Sequence, residues 1–227
     1  MSWELIYNGI SSNDLKIFPV DKNVQIPVPE RDISEIEIPG RDGVLHIDNK
    51  RYKPISIPIP LNFKYSLERY NELKKWLRGK GTLSLTYEDD RFYKCNKIIF
   101  GTPQTKLGIC NITVTFECEP FSYSYMGTYE IYNPTYLYNS GYEAKPIYIV
   151  EGEGMCELSI NGNTININVG QSIVIDTELL IAYRENKVTA MSTITGDIQR
   201  LYLREGENEL KITEGFNLYV IPNWRYL

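Results

Sequence analysis

A single histidine, His46, limits what this chain can do to a chemical bond. A histidine-built metal cluster needs a second imidazole, and a serine or cysteine triad needs its histidine beside a nucleophile; neither a second histidine nor a Gly-x-Ser-x-Gly elbow is present. Between Leu45 and Ile47, His46 reads as a strand residue. The four cysteines, Cys95, Cys110, Cys118 and Cys156, form no CxxC pair. Cys110 and Cys118 sit on one alternating run, about 26 Å apart at an extended rise, too far to bridge. Buried free thiols are the expectation. Asp89-Asp90 is an adjacent pair of carboxylates of the kind that could run glycoside hydrolysis, but it lies in the polar run Glu88–Arg91, which reads as a hairpin turn. A glycosidase is disfavoured, since only distant acids could then converge. Gly79-Lys80-Gly81 follows a helix instead of joining a strand to one, and Gly152-Glu153-Gly154 lacks a third glycine; both are turns. No catalytic, cofactor-binding or metal-ligating residue is assigned, no cofactor is expected, and the chain reads as a non-enzyme.

The elements around these residues have mostly a period of two. Cys110, Ile112, Val114, Phe116 and Cys118 alternate with Asn111, Thr113, Thr115 and Glu117, which predicts a half-buried strand. Leu83, Leu85 and Tyr87 alternate with Thr82, Ser84 and Thr86, and the turn at 88–91 leads to Phe92-Tyr93, a hairpin. One stretch predicts a helix. Ser66 is its N-cap, Glu68 suits the positive end of the dipole, and Leu67, Tyr70, Leu73 and Leu77 form the apolar stripe. Lys74, Lys75 and Arg78 load its last turns and Gly79 ends it, with Trp76 beside the stripe. The stripe is expected to pack on a sheet.

From Phe18 to Gly40 the chain is punctuated by Pro19, Pro27, Pro29 and Pro39, and Gln25–Pro29 should be extended. Proline removes ladder donors, so this stretch belongs at a sheet edge or in an arm. Such an arm either lies along a neighbouring subunit or is a surface loop. A tyrosine-dense passage after Glu119-Pro120-Phe121, broken by Asn133-Pro134 and Asn139-Ser140-Gly141, places a linker near residues 127–143. The expected domains are 1–130 and 131–227. The second reads as short strands at Ile147–Val150, Leu158–Ile160, Thr164–Ile167, Ile173–Ile175, Leu180–Tyr183, Leu201–Leu203, Leu210–Ile212 and Leu218–Ile221. Asn161-Gly162 is a strong hairpin turn, and the pattern is that of a β-sandwich.

Composition agrees with a packed protein: 42% hydrophobic, 23% charged and 12% aromatic over 227 residues. A net charge of −5 gives no basic footprint for gripping phosphate backbones, so specific nucleic-acid binding is not expected. No apolar run approaches the ~18 residues of a membrane helix. Met1-Ser2-Trp3-Glu4-Leu5 lacks the basic and long apolar regions of a signal peptide, which predicts synthesis in a cytoplasm without export by the ordinary route.

Several ordered pieces together resemble the distal tail protein (Dit) family of long-tailed phages and prophages of Gram-positive bacteria. They are Ile38-Pro39-Gly40-Arg41-Asp42-Gly43, the helix followed by Lys80-Gly81-Thr82-Leu83, Tyr87–Tyr93 and Phe116–Phe121 in the first half. Lys145–Ile149, Ser159-Ile160-Asn161-Gly162, Ile173–Asp176 and Pro222-Asn223-Trp224-Arg225 continue the series in the second. The resemblance implies a mainly β protein of two β-sandwich domains, the first ring-forming with one α-helix and a β-hairpin, the second galectin-like. It further implies a homo-hexameric ring at the virion tail tip, assembled in the host cytoplasm. That ring is the structural hub (baseplate) between the tail tube and the tail-associated fibre or lysin protein, with the tape measure and receptor-binding proteins as further partners. Six chains of −5 each would carry −30 charges around a lumen through which DNA passes. Pro27, Pro29, Arg41 and Asp42 are the expected subunit-interface residues; Asp42 and Gly43 also suit a tight turn. The alternative is a carbohydrate-binding adhesion module at the host wall. The galectin pattern His-x-Asn-Pro-Arg with Trp-x-x-Glu is absent, since the second half has no histidine and Trp224 is followed by Arg225, Tyr226 and Leu227. Trp224 is expected to close the second sandwich. A tail-tip peptidoglycan hydrolase is a further alternative, without a visible active site.

Overall fold

The computed structural model describes residues 3–20, 24–88, 90–184 and 187–227. Met1 and Ser2 of the N-terminal reading, and Asp89 of the acidic turn, lie outside the described residues. The chain divides into two compact units, one running to Ser122 and taking in Leu227, the other spanning Tyr123–Tyr226.

The first unit contains β1 (Leu5–Tyr7), β2 (Ile10–Ser11), β3 (Phe18–Pro19), β4 (Arg31–Glu37) and β5 (Val44–Tyr52). After these come β6 (Ile55–Lys64), α1 (Leu67–Trp76), β7 (Gly81–Leu85), β8 (Arg91–Phe100), β9 (Gln104–Lys106) and β10 (Ile109–Ser124). The main sheet runs β2-β1-β7-β8-β10-β6-β3, with β9 on the start of β10. Its backbone is the long pairing of β10 with β6, from Ile109 opposite Lys64 to Cys118 opposite Ile55. The alternation works as read: Cys110, Ile112, Val114, Phe116 and Cys118 are buried, facing a core that also receives Ile55, Ile57, Ile59, Leu61 and Phe63. Pro58 and Pro60 interrupt β6 without breaking it. They lie opposite Thr115 and Thr113 of β10, but the Pro60 carbonyl accepts from Val20 N (3.0 Å), and a strand residue's N and carbonyl point to the same side, so their missing donors fall on the thin β3 side. There β3 makes only two pairs, Phe18 with Asn62 and Pro19 with Leu61.

Helix α1 starts as expected, with the Ser66 hydroxyl accepting from Arg69 N at 3.1 Å. Its buried face differs from the expected stripe. Leu73, Trp76 and Leu77 are buried and Tyr70 half-buried, whereas Leu67 is 67% exposed. Leu67 occupies the first helical turn, ahead of the contact, and Trp76 replaces it by donating its indole N–H to the Tyr7 carbonyl (3.2 Å). Gly79, at φ +78°, receives the Tyr7 hydroxyl on its carbonyl at 2.7 Å, which closes the helix onto the sheet.

The second unit contains β11 (Ile131–Tyr132), β12 (Tyr136–Asn139), β13 (Ile147–Gly152), β14 (Met155–Ile160), β15 (Asn163–Asn168) and β16 (Gln171–Asp176). β17 (Ile181–Tyr183), β18 (Ile194–Thr195), β19 (Gly206–Ile212), β20 (Asn217–Ile221) and β21 (Arg225–Tyr226) follow. Two five-stranded sheets, β11-β20-β13-β16-β17 and β12-β19-β14-β15-β18, enclose one core, a β-sandwich. Asn161 and Gly162 both have positive φ (52° and 80°) between β14 and β15, the turn that their residue types predict. Leu201–Leu203 is not a strand. Ile198–Leu201 forms a 3-10 turn capped by Asp197, and Leu203 makes an isolated bridge to Ala144, because burying Ile198 and Leu201 on one side needs a three-residue period. Trp224 packs half-buried against this core. The described residues are thus mainly β with one α-helix.

Candidate functional site

Among the described residues the strands β4 and β5 pair only with each other, and every residue from Ile33 to Arg51 is exposed. Their register sets the two faces. Ser34 lies opposite Ile47 and Ile36 opposite Leu45 on one; Ile33 opposite Asp48, Glu35 opposite His46 and Glu37 opposite Val44 on the other. The first face is apolar: Ile36, Leu45 and Ile47 remain 45%, 38% and 42% exposed. The second is dominated by carboxylates, with His46 Nδ1 3.6 Å from Glu35 on the surface. A two-stranded ribbon is marginal in water on its own, and this one leaves apolar side chains open.

The ribbon is tied down at its base. Arg31 lies over the Tyr52 ring at 4.7 Å, Tyr52 meets Phe121 edge-on at 5.7 Å, and Lys53 N donates to the Glu30 carbonyl (2.8 Å). Arg51 pairs with Asp32 and holds its carboxyl below the ordinary value, chiefly through their hydrogen bond. At the far end Arg41 N donates to the Ile38 carbonyl (3.1 Å) across Pro39 and Gly40, and Gly40 has φ +82°. Proline then a left-handed glycine at the central positions is a type II turn. This hydrogen-bonded turn lies just ahead of Arg41-Asp42-Gly43, and Gly43 adopts the positive φ expected of it (81°).

The proline segment at 24–30 has no regular structure. The Tyr87 hydroxyl donates to the Val24 carbonyl (3.0 Å), and Trp3 packs edge-on against Tyr87 at 5.3 Å, so the segment's start is fastened to the core. Pro27 and Val28 are exposed, Val28 by 84%, while Pro29 is buried. Together they form one wall of a groove of about 200 Å³ with Glu88, Tyr93 and Leu227. The Tyr93 hydroxyl donates to Glu88 at 2.9 Å, and burial with this bond pushes the phenol well above its usual range.

The four interface candidates therefore fall into two groups. Pro27 and Pro29 stand at the ribbon's base, Arg41 and Asp42 at its exposed tip, with the seven-residue β4, roughly 24 Å of strand, between. The apolar face between them does not stand out in the sequence, although Val44–Asp48 carries the alternation that marks it. All four cysteines are free and buried. Among the described residues no cluster of three or more His, Cys, Asp or Glu could hold a metal ion.

Against known proteins, residues 7–118 match the phage tail protein RIFT-related domain. The first unit thus carries the domain of a phage tail family. Over its whole length the chain has the fold of SPP1 Dit (gp 19.1), described as a paradigm of the hub adsorption apparatus in phages infecting Gram-positive bacteria. The similarity has a TM-score of 0.74 at 14% identity and covers 100% of both chains. The resemblance to the distal tail proteins read from the sequence is borne out. A search of curated proteins by sequence finds no match. No helix among the described residues is long and apolar enough to cross a membrane.

Proposed function

We propose that six copies of this chain close into a ring at the tip of a phage tail, the hub between the tail tube and the fibre or lysin protein. The observation that carries this is the ribbon: an arm with every residue from Ile33 to Arg51 exposed, one face apolar, and no strand among the described residues of its own unit paired to it. The occupant of that face is a second copy. In a head-to-tail ring each subunit presents its arm to one neighbour and receives an arm from the other, so no two-fold self-complementarity is required. The receiving surface we assign is the thin sheet edge at β3, where Phe18 and Val20 are 49% and 47% exposed. Pro27, Pro29, Arg41 and Asp42 then flank the contact at the two ends of the arm.

The acidic face of each ribbon, with Glu35, Glu37 and Asp48, is turned toward the lumen, where like charge keeps passing DNA from sticking. Residues 1–130 serve as the ring-forming domain, and 131–227 meet attached partners. Exposed Tyr132, Tyr136 and Tyr138 support docking there, because the phenol joins an apolar ring to a polar tip. The tape measure and receptor-binding proteins complete the partner set at the virion tail tip. Negative-stain microscopy across a concentration series tests the proposal. Six-fold rings whose contacts bury at least ~800 Å² per partner are expected. Two-fold dimers, or monomers up to millimolar protein, refute it.

A further inference from the structure

The second unit carries, within its own residues, a cleft of about 300 Å³ lined by Glu143, Asn163, Gln199, Arg200, Tyr202 and Arg204. Its size is at the small end of ligand sites. The backbone sets its walls. Ala144 and Leu203 form an antiparallel bridge bonded in both directions (2.8 and 3.0 Å), and both side chains are fully buried. Their neighbours must then point outward: Glu143 and Lys145 on one side of the bridge, Arg204 and Tyr202 on the other. Lys145 Nζ indeed lies 5.9 Å from the centre of the Tyr202 ring. The 3-10 turn buries Ile198 and Leu201, which leaves Gln199 and Arg200 exposed as the third wall.

A buried amide holds these segments together. Asn208, fully buried, accepts from Arg204 N (2.8 Å) and donates to the Arg204 carbonyl (2.9 Å). Its Oδ1 also accepts from Asn161 Nδ2 (2.8 Å), in the turn that leads into Asn163. The cleft is therefore pre-organised, which lowers the cost of binding.

Its chemistry selects the ligand. Arg200 is engaged by Asp197 at 3.3 Å, but neither Glu143 nor Arg204 makes an ion pair with another described residue. The cleft offers one carboxylate, two guanidiniums, two amides that both donate and accept, and one aromatic ring. An anion would meet Glu143, a cation would meet Arg200, Arg204 and Lys145, and an apolar molecule would leave every polar group unpaired. A neutral molecule dense in hydroxyls with one apolar C–H face satisfies all of them. We propose that this cleft binds a neutral saccharide unit, with Glu143 and Arg204 bonding neighbouring hydroxyls and Tyr202 packing against the sugar's C–H face.

The test uses the full chain, with saturation-transfer NMR and calorimetry against galactose, glucose, N-acetylglucosamine and rhamnose at millimolar concentration, and glycerol 3-phosphate as the anionic probe. At least one neutral sugar should receive saturation. Its association constant should fall about tenfold in Glu143→Gln and in Arg204→Ala, the loss of about one charge-assisted hydrogen bond, and stay unchanged in Met155→Ala, at the far end of the β14–β15 hairpin from Asn163. Glu143 and Arg204 are exposed, so both variants should keep the parent's circular dichroism. Saturation of no neutral sugar, equal affinity in the cleft variants, or binding confined to glycerol 3-phosphate each overturns the proposal.

Discussion

Replacing Ile36, Leu45 and Ile47 together by alanine strips the apolar face of the ribbon and leaves its backbone pairing intact. These side chains keep 45%, 38% and 42% of their surface exposed in the single chain. Full burial of an Ile or Leu stabilises by about 1.5–3 kcal/mol, so covering the remaining two-fifths contributes about 0.6–1.2 kcal/mol each. The three together supply about 2–4 kcal/mol per subunit contact. At ~1.4 kcal/mol per factor of ten, their loss weakens each contact by about 30- to 700-fold. Sedimentation velocity over a micromolar to millimolar series reads this as a rise in the concentration at which rings form. Glu35→Gln with Glu37→Gln, on the opposite face, is the control and should leave that concentration within a few-fold of the parent's. The thermal midpoint of the triple variant should match the parent's, because none of the three positions is buried in its own unit. Assembly of the triple variant at the parent's concentration would refute the assignment of this face.

Gly40→Val puts a β-branched residue at φ +82°, so the ribbon's turn should loosen and trypsin should cut after Arg41 several-fold faster, with the core's melting temperature unchanged. Leu73→Ala, beneath the helix, should cost about 2–5 kcal/mol by urea denaturation, since Leu73 is fully buried between α1 and the sheet. Burial, with Cys95 and Cys118 nearby, pushes the Tyr7 phenol up from 10.0 to about 12, and burial raises Tyr148 as well. A phenol whose folded value lies above its unfolded one contributes its full stability below pH 10.0 and loses it as pH rises through about 12. The urea midpoint should therefore hold at neutral pH and fall across that alkaline window, in step with tyrosinate absorbance. All four thiols should resist Ellman's reagent in the native chain and react together on unfolding, because each is buried.

Much of this molecule is written locally. The alternation of Cys110–Cys118, the Asn161-Gly162 turn and the Ser66 cap depend on a few neighbouring residues, and each forms where its pattern stands. The family resemblance is likewise legible, because turns and strand ends hold the residues that backbone conformation demands. Two local patterns mislead. Leu67 belongs to the helical stripe by spacing yet is exposed, and Leu201–Leu203 reads as a strand yet begins in a 3-10 turn. In both, the position of a distant surface chose the outcome. The same holds for the two candidate sites. Ile36, Leu45 and Ile47 alternate like core residues, and only the pairing of β4 with β5 alone leaves their face open. Glu143, Asn163, Arg200 and Arg204 come from separate segments and share one cleft only because the Ala144–Leu203 bridge and the Asn208 amide bring those segments together. Period and turn chemistry are set by steric limits within a few residues, so the sequence alone determines strands as regular as Cys110–Cys118 and turns as specific as Asn161-Gly162. Which faces are covered and which side chains meet depends on contacts between segments remote in the chain, and those the tertiary structure decides.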